Sequence, residues 1–383
     1  MREGWSIRSL GDVATIYNGN SINAEEKKKK YLGQTQGLPF IATKDVSNNG
    51  SIDYENGVRI PNYTDFKIAR PDSVFVCAEG GSAGKKVAFV EQEVCFGNKL
   101  FALQPKKALL NGKYLYYYVQ SQSFKEQFKQ LITGIIGGVS SKKIKEISII
   151  LSSLPEQQRI VDILDREFAK IDALKVNAEK SLQAAKDLFQ ATMKKELKPK
   201  EGWTQETLFA VSTEMFAGGD APKNQMTDTP SKEYPIPIIA NAVENEGLYG
   251  YTSIARVSVP SITIAGRGSG TGYVFRRRYS FFPIVRLIVI IPNDNKVCLD
   301  YLYFAIKSLN IQSSGSAIPQ LTIPMIKNYL IAYPAKSIQE VIVKRLTQME
   351  EGYFQLKENY QKTLTLCDDL KQSLLRKAFN GEL

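Results

Sequence analysis

The chain has 383 residues, 43% of them hydrophobic, with a mean hydropathy of −0.22, a net charge of +11 and a pI near 9.2. That length allows two to three domains, no apolar run is long enough to cross a bilayer, and Met1 to Leu10 lacks the apolar segment of a signal peptide. Histidine is absent, which removes Ser-His-Asp and Cys-His nucleophiles, histidine-dependent nucleases and histidine metal sites.

Cys77, Cys95, Cys298 and Cys367 are scattered without a CxxC pair, so they read as reduced cytoplasmic thiols rather than a zinc site or a disulfide framework. Gly84-Lys85 is followed by Lys86 and has no Gly five residues earlier, so it is not a phosphate-binding P-loop. There is no Asn-Pro-Pro-aromatic tetrapeptide of an amino-methyltransferase and no acidic cluster closing on Glu-x-Lys. The chain reads as a binder rather than a catalyst. Its basic balance favours a polyanion, nucleic acid before anionic membrane.

In chain order, Glu3-Gly4-Trp5 opens the protein and Glu201-Gly202-Trp203 reopens it 198 residues later. Each opening is followed by a stretch predicted helical, Ser9 to Tyr17 and Thr207 to Met215, and then by a glycine turn. A polar insertion comes next, Ala24 to Gly37 in the first copy and Pro222 to Tyr234 in the second. The run Lys27 to Lys30 is either a solvated loop or a phosphate contact.

Leu38 to Ala42 and Ile236 to Ala240 match at the same offset and read as strands. Further strands are predicted at Ser73–Cys77, Val87–Val90 and Leu100–Leu103, and in the second copy at Ser261–Ala265, Gly272–Phe275 and Leu287–Ile291. The short β-branched runs suggest a mixed or curled sheet. Glycine-rich turns lie at Glu79 to Lys86 and Gly266 to Gly272. Tyr114 to Ser121 and Tyr301 to Ser308 are predicted helices whose tyrosines serve the core or stack on bases. Loops at Thr133–Ser141 and Gln312–Gln320 then lead to final strands, Ile147–Leu151 and Tyr329–Tyr333.

Each copy ends in a long helix. Leu154 to Leu197 holds no Gly, and its one Pro is Pro155 in the first turn, where proline is tolerated. At about 1.5 Å per residue it would span roughly 60 Å. Ser337 to Leu383 repeats its layout: Leu164, Leu174, Leu182, Leu188 and Gln157 correspond to Leu346, Leu356, Leu364, Leu370 and Gln339, each 182 residues on. The predicted seam is Leu164, Ile171, Leu174, Leu182 and Leu188 against Leu346, Tyr353, Leu356, Leu364 and Leu370. Run antiparallel, such a pair would hold two globular units at a fixed separation. Two domains built alike with different loops should bind related but different things.

The strongest basic clusters are Lys85-Lys86 and Arg276-Arg277-Arg278, both just beyond a glycine-rich turn. Glycines let backbone N–H groups approach a phosphate while the neighbouring cations supply charge. A hairpin turn with solvated charges is the other reading. Arg267 and Arg286 flank the same region and suit guanine, and the amides Asn98, Asn241 and Gln320 suit adenine. Lys44, Ser82, Lys99 and Ser269 complete the candidate DNA contacts. No catalytic, cofactor or metal residue is proposed.

This layout resembles the DNA specificity subunit of type I restriction–modification systems over essentially the whole chain. The junction Ile149-Ile150-Leu151-Ser152-Ser153-Leu154-Pro155-Glu156-Gln157-Gln158-Arg159-Ile160-Val161 is similar to the family's entry into its helix, and Arg376 to Leu383 to its usual close. The second junction departs, with Gln339-Glu340 in place of Glu-Gln. The resemblance implies an α+β fold: two similar mixed α/β target-recognition domains, an internal tandem repeat, separated by two long antiparallel helices forming a coiled coil. The expected boundaries are residues 1–152, 153–198, 199–335 and 336–383. It also implies a non-catalytic cytoplasmic subunit in which each domain reads one half of an asymmetric bipartite site in double-stranded DNA. The helices would space the halves about one helical turn apart and dock two modification subunits that methylate adenine N6, with motor-nuclease subunits added for restriction. S-adenosylmethionine and ATP would belong to those partners, and no membrane is involved. The competing reading is a two-domain protein-binding scaffold with incidental basic charge.

Overall fold

The computed structural model describes residues 4–134, 137–268, 270–309, 311 and 320–383. The chain forms two compact units, residues 1–178 with 361–383, and residues 179–360.

Unit 1 contains β1 (Ser6–Ser9), β2 (Ala14–Asn18), β3 (Leu38–Ile41), β4 (Arg59–Ile60), β5 (Ile68–Ala69), β6 (Val74–Cys77), β7 (Val87–Phe89), β8 (Val94–Phe96), β9 (Leu100–Pro105) and β10 (Ser148–Leu151). Its longer helices are α1 (Gly112–Gln120), α2 (Gln122–Gln130) and the first part of α3 (Leu154–Glu196), joined by the last part of the second long helix. The first sheet has the order β2-β9-β6-β7 and is wholly antiparallel. The second, β4-β3-β8-β5, holds one parallel pair, β3 with β8. β1 pairs with β10.

Side chains alternate across a strand, and β6 uses both faces. Val74 and Val76 join Phe101 and Leu103 in a core under α1 and α2, while Phe75 and Cys77 join Leu100, Ala102 and Phe96 between the two sheets. Each such fully buried aliphatic or aromatic side chain contributes about 1.5–3 kcal/mol. The tyrosines of α1 belong to the first core: Tyr114 and Tyr118 are 1% exposed.

Unit 2 repeats this with β11 (Thr204–Thr207), β12 (Ser212–Ala217), β13 (Met226–Thr227), β14 (Ile236–Ile239), β15 (Leu248–Thr252), β16 (Ser261–Ile264), β17 (Val274–Arg277), β18 (Phe282–Pro283), β19 (Ile288–Pro292) and β20 (Leu330–Tyr333). Its longer helices are α4 (Leu299–Ser308), the last part of α3 and the first part of α5 (Lys336–Asn380). The antiparallel sheet β12-β19-β16-β17 matches that of unit 1, and β14 pairs parallel with β18 as β3 does with β8. The flanking strands differ: β15 and β13 extend the second sheet on one side, where unit 1 places β4 and β5 on opposite edges. Framework repeats; insertions do not.

Several sequence expectations need correction. The stretch Ser9 to Tyr17 is helical only for one turn, Leu10–Val13, whose N-cap Ser9 accepts from Asp12 N at 3.2 Å. Thr15 and Ile16 are β-branched and continue as β2 against β9. Thr207 to Met215 is likewise a turn leading into β12. The strand predicted at Gly272–Phe275 begins at Val274, because Gly272 (φ +89°) still belongs to the turn.

The long helices form over 43 and 45 residues. In unit 1 they run antiparallel: Asp172 accepts from Lys371 and Asp368 from Lys175, both at 2.6 Å. In unit 2 Glu196 accepts from Arg345 at 2.6 Å. Leu164, Ile171 and Leu346 are buried, and Leu182, Tyr353 and Leu364 half-buried. Leu174, Leu188, Leu356 and Leu370, predicted in the seam, are 55%, 61%, 41% and 48% exposed. The inward positions after Ile171 are Lys175, Ala178, Leu182, Ala185, Phe189 and Met193, one residue off the predicted stripe at both ends. Leucine at helical spacing could not show this, since two adjacent stripes fit the sequence and packing chose the one with smaller side chains at its middle.

Candidate nucleic-acid interface

In unit 1 the candidate cations converge on three loops at one end of the framework. After β3 the chain makes a tight turn at Thr43–Asp45. The Asp45 carboxylate accepts from Ala42 N at 2.9 Å, which closes the turn and leaves Lys44 exposed. The β6–β7 connection forms the second loop. Gly84 has φ +67°, and a Cβ there would lie 2.5 Å from the Phe128 ring, so only glycine fits. Ser82 is half-buried and Lys85 exposed on this loop. Lys86 Nζ donates to Thr43 O at 3.2 Å, tying the first two loops together. The third loop carries Asn98 and Lys99, both exposed. Lys99 lies 2.9 Å from the Glu79 carboxylate, which raises its pKa, and Asn18 donates to Asn98 O at 2.9 Å.

The corresponding loops of unit 2 follow β14, β16 and β18. Arg267 is exposed and its backbone bridges Gln320, while Ser269 lies outside the described residues. Asn241 is not presented for base reading. Its Oδ1 accepts from Gly266 N at 2.8 Å and its Nδ2 donates to Val285 O, so the amide clamps two loops together. Val285 and Arg286 both take left-handed backbone conformations (φ 53° and 61°) and are exposed. Their N–H groups donate to Gly219 O at 2.8 Å and Gly218 O at 3.0 Å. A β-branched residue is rarely found there. The pair occupies the place of Asn98-Lys99, 187 residues on, and that offset was the signal by which Val285 could have been found.

The three arginines do not form a loop cluster beside the glycine turn. Lys85-Lys86 precede β7, whereas Arg276 and Arg277 lie on β17 and Arg278 follows it. Ser261 pairs with Arg277 and Ile264 with Val274, so the arginines sit at the strand end remote from the glycine turn. Arg276 donates to Glu350 at 2.7 Å and to Asp300 at 3.2 Å, over the Tyr303 ring. Arg277 is fully buried and bonded to Thr263, Tyr279 and Glu246. Arg278 pairs with both oxygens of Asp300 at 2.6 Å. These guanidiniums are spent inside unit 2 rather than offered as a phosphate cluster.

Among the described residues there is no group of three or more Cys, Asp or Glu side chains placed to hold a metal ion, and no helix long and apolar enough to cross a membrane.

Residues 2–184 and 200–366 each match the family model for the type I restriction modification DNA specificity domain. The chain is 27% identical over 341 residues to S.MpnORF507P of Mycoplasma pneumoniae, named as a type I specificity subunit, with 88% of this chain and 87% of that one covered. It is 24% identical over 440 residues to the StySPI specificity subunit of Salmonella potsdam, covering 100% and 89%. A solved structure reported for complex assembly and conformational transition of a type I R-M system has the same fold: TM-score 0.80 at 16% identity, covering 100% of this chain and 99% of that one.

Proposed function

The chain belongs to the type I restriction–modification DNA specificity family, and on that premise we propose how its residues divide the work. It is a specificity subunit of a type I complex: it recognises DNA sequence through two repeated domains, one for each half of a bipartite site, and catalysis resides elsewhere in the complex. The observation that carries our assignment of contacts is the repeated framework, which presents different polar and basic loops at the same end of each unit.

In unit 1 we place Lys44, Ser82, Lys85, Lys86, Asn98 and Lys99 against DNA. In unit 2 we place Arg267, Ser269, Gln320, Val285 and Arg286 there. The lysines meet phosphate and set register, while the arginines and Asn98 have the chemistry to reach base edges. Asn241 and Arg277 hold loops in shape, and Arg276 and Arg278 hold β17 to α4.

The exposed apolar side chains of the long helices are the surface we assign to two methyltransferase subunits. Among them are Leu174, Val176, Leu366 and Leu370 in unit 1, and Leu188, Val341, Phe354 and Leu356 in unit 2. Motor-nuclease subunits would join the same assembly in the cytoplasm. S-adenosylmethionine and ATP are assigned to those partners, not to this chain.

The test is duplex DNA binding as a function of salt. A reader of several phosphates should lose affinity by about three to five powers of ten between 50 and 200 mM salt. A salt-independent interaction would favour the protein-scaffold alternative.

A further inference from the structure

We infer that Gln157 and Gln339 are positioning residues: each fixes the angle at which its recognition domain joins its long helix, and so sets the gap between half-sites that the subunit accepts. This rests on the DNA-reading assignment above.

Both glutamines are fully buried at the start of a long helix, 182 residues apart. Their bonding repeats. Gln157 Oε1 accepts from Asn111 N at 2.9 Å, and its Nε2 donates to Leu109 O at 3.0 Å and Ser152 O at 2.9 Å. Gln339 Oε1 accepts from Cys298 N at 3.0 Å, and its Nε2 donates to Lys296 O and Pro334 O at 2.8 and 2.9 Å. Asn111 and Cys298 are the N-cap residues of α1 and α4, and Ser152 and Pro334 follow the strands that enter the long helices. One amide thus joins three segments: the loop into the domain's helix, the end of its last strand, and the long helix itself. A second repeated bond lies beside it, Tyr114 to Ile150 O at 2.9 Å and Tyr301 to Ala332 O at 2.7 Å.

The chain keeps this joint in both copies while the flanking strands and reading loops differ. Buried polar groups are costly unless fully bonded, and a fully bonded one specifies a single geometry. That geometry matters because the domain is a lever. A unit of about 150 residues has a radius of gyration of roughly 15 Å, so a tilt of about 10° at the joint moves its far edge by about 5 Å, more than the ~3.4 Å rise of a base pair.

The experiment sequences methylated adenines in a host that otherwise lacks them, carrying the chain with its modification subunits. Wild type, Gln339→Glu and Gln339→Met are compared, with thermal melts of each purified complex. Glu keeps the shape and the acceptor; Met keeps the shape alone. The expected result is unchanged half-sequences with at least a tenfold rise in relative methylation at gaps one base pair longer or shorter. An unchanged gap distribution in folded, assembled complexes overturns the inference, as does a change in the bases read. Failure of both variants to fold also overturns it, since the glutamine would then serve stability alone. A wild-type chain yielding no two-part sequence would instead overturn the DNA-reading assignment, so the two failures are distinct.

Discussion

Arg277 donates to the Glu246 carboxylate at 2.8 Å and to the Glu246 carbonyl at 2.6 Å from a wholly buried position in unit 2. The interaction pins the turn before β15 to the β16–β17 hairpin. Truncating Arg277 leaves Thr263, Tyr279 and the Glu246 carbonyl without this donor. Arg277→Ala should therefore cost about 2–4 kcal/mol of stability, read by urea denaturation. Arg278→Ala, at an exposed pair, should change stability by about 1 kcal/mol or less. Equal losses at the two positions would contradict the assignment.

The phosphate contacts are tested by salt slopes. Lys85→Ala and Lys44→Ala remove exposed charges and should each flatten the plot of log affinity against log salt by about 0.9, with unchanged melting temperature. Lys86→Ala should also loosen the loop, since that side chain holds Thr43 O. An unchanged slope would mark Lys85 and Lys44 as solvated surface.

The buried tyrosines predict alkaline sensitivity. Burial pushes the Tyr118 hydroxyl up to about 12, and it raises Tyr114, Tyr117, Tyr301 and Tyr303 further, with Asp165 adding to the rise at Tyr117 and Glu350 at Tyr303. The folded chain keeps these protons at pH values where the unfolded chain releases them. Stability is thus fully present below about pH 10 and falls above it, by about 1.4 kcal/mol per pH unit for each tyrosine. Denaturation midpoints at pH 7, 9, 10 and 11 should be level and then drop, and Tyr118→Phe should shallow the drop. A level response to pH 11 would contradict the burial argument.

The long helices should separate packing from docking. Leu164→Ala and Leu346→Ala should each cost about 2–5 kcal/mol. Leu174→Glu and Leu370→Glu should leave melting nearly unchanged and reduce co-purification of the modification subunits. Undiminished co-purification would remove those leucines from the docking surface.

Much of the fold was legible because duplicated segments constrain one another. The offsets at Trp5 and Trp203, and at Leu164 and Leu346, located the repeat, and periodicity gave the strands around Val74 and Ile262. What failed was three-dimensional. The exposed stripe at Leu174 and Leu188 differs from the buried one by a single residue, which only packing decides. The arginines after Gly272 looked like a loop cluster because strand β17 starts two residues later than its apolar run suggests. Asn241 carried the right chemistry for a base, and nothing local indicates that Gly266 and Val285 already use its amide. Lys85 and Lys99 lie exposed on loops as the glycine-containing sequence around them suggests.

That one chain reads two separate half-sequences is tested most directly by selection from random duplex DNA with the chain assembled with its modification subunits, followed by sequencing of the retained duplexes. Two short fixed blocks, different from each other, are expected, separated by a gap of constant length and free sequence. A single uninterrupted block, or no enrichment at all, would contradict it.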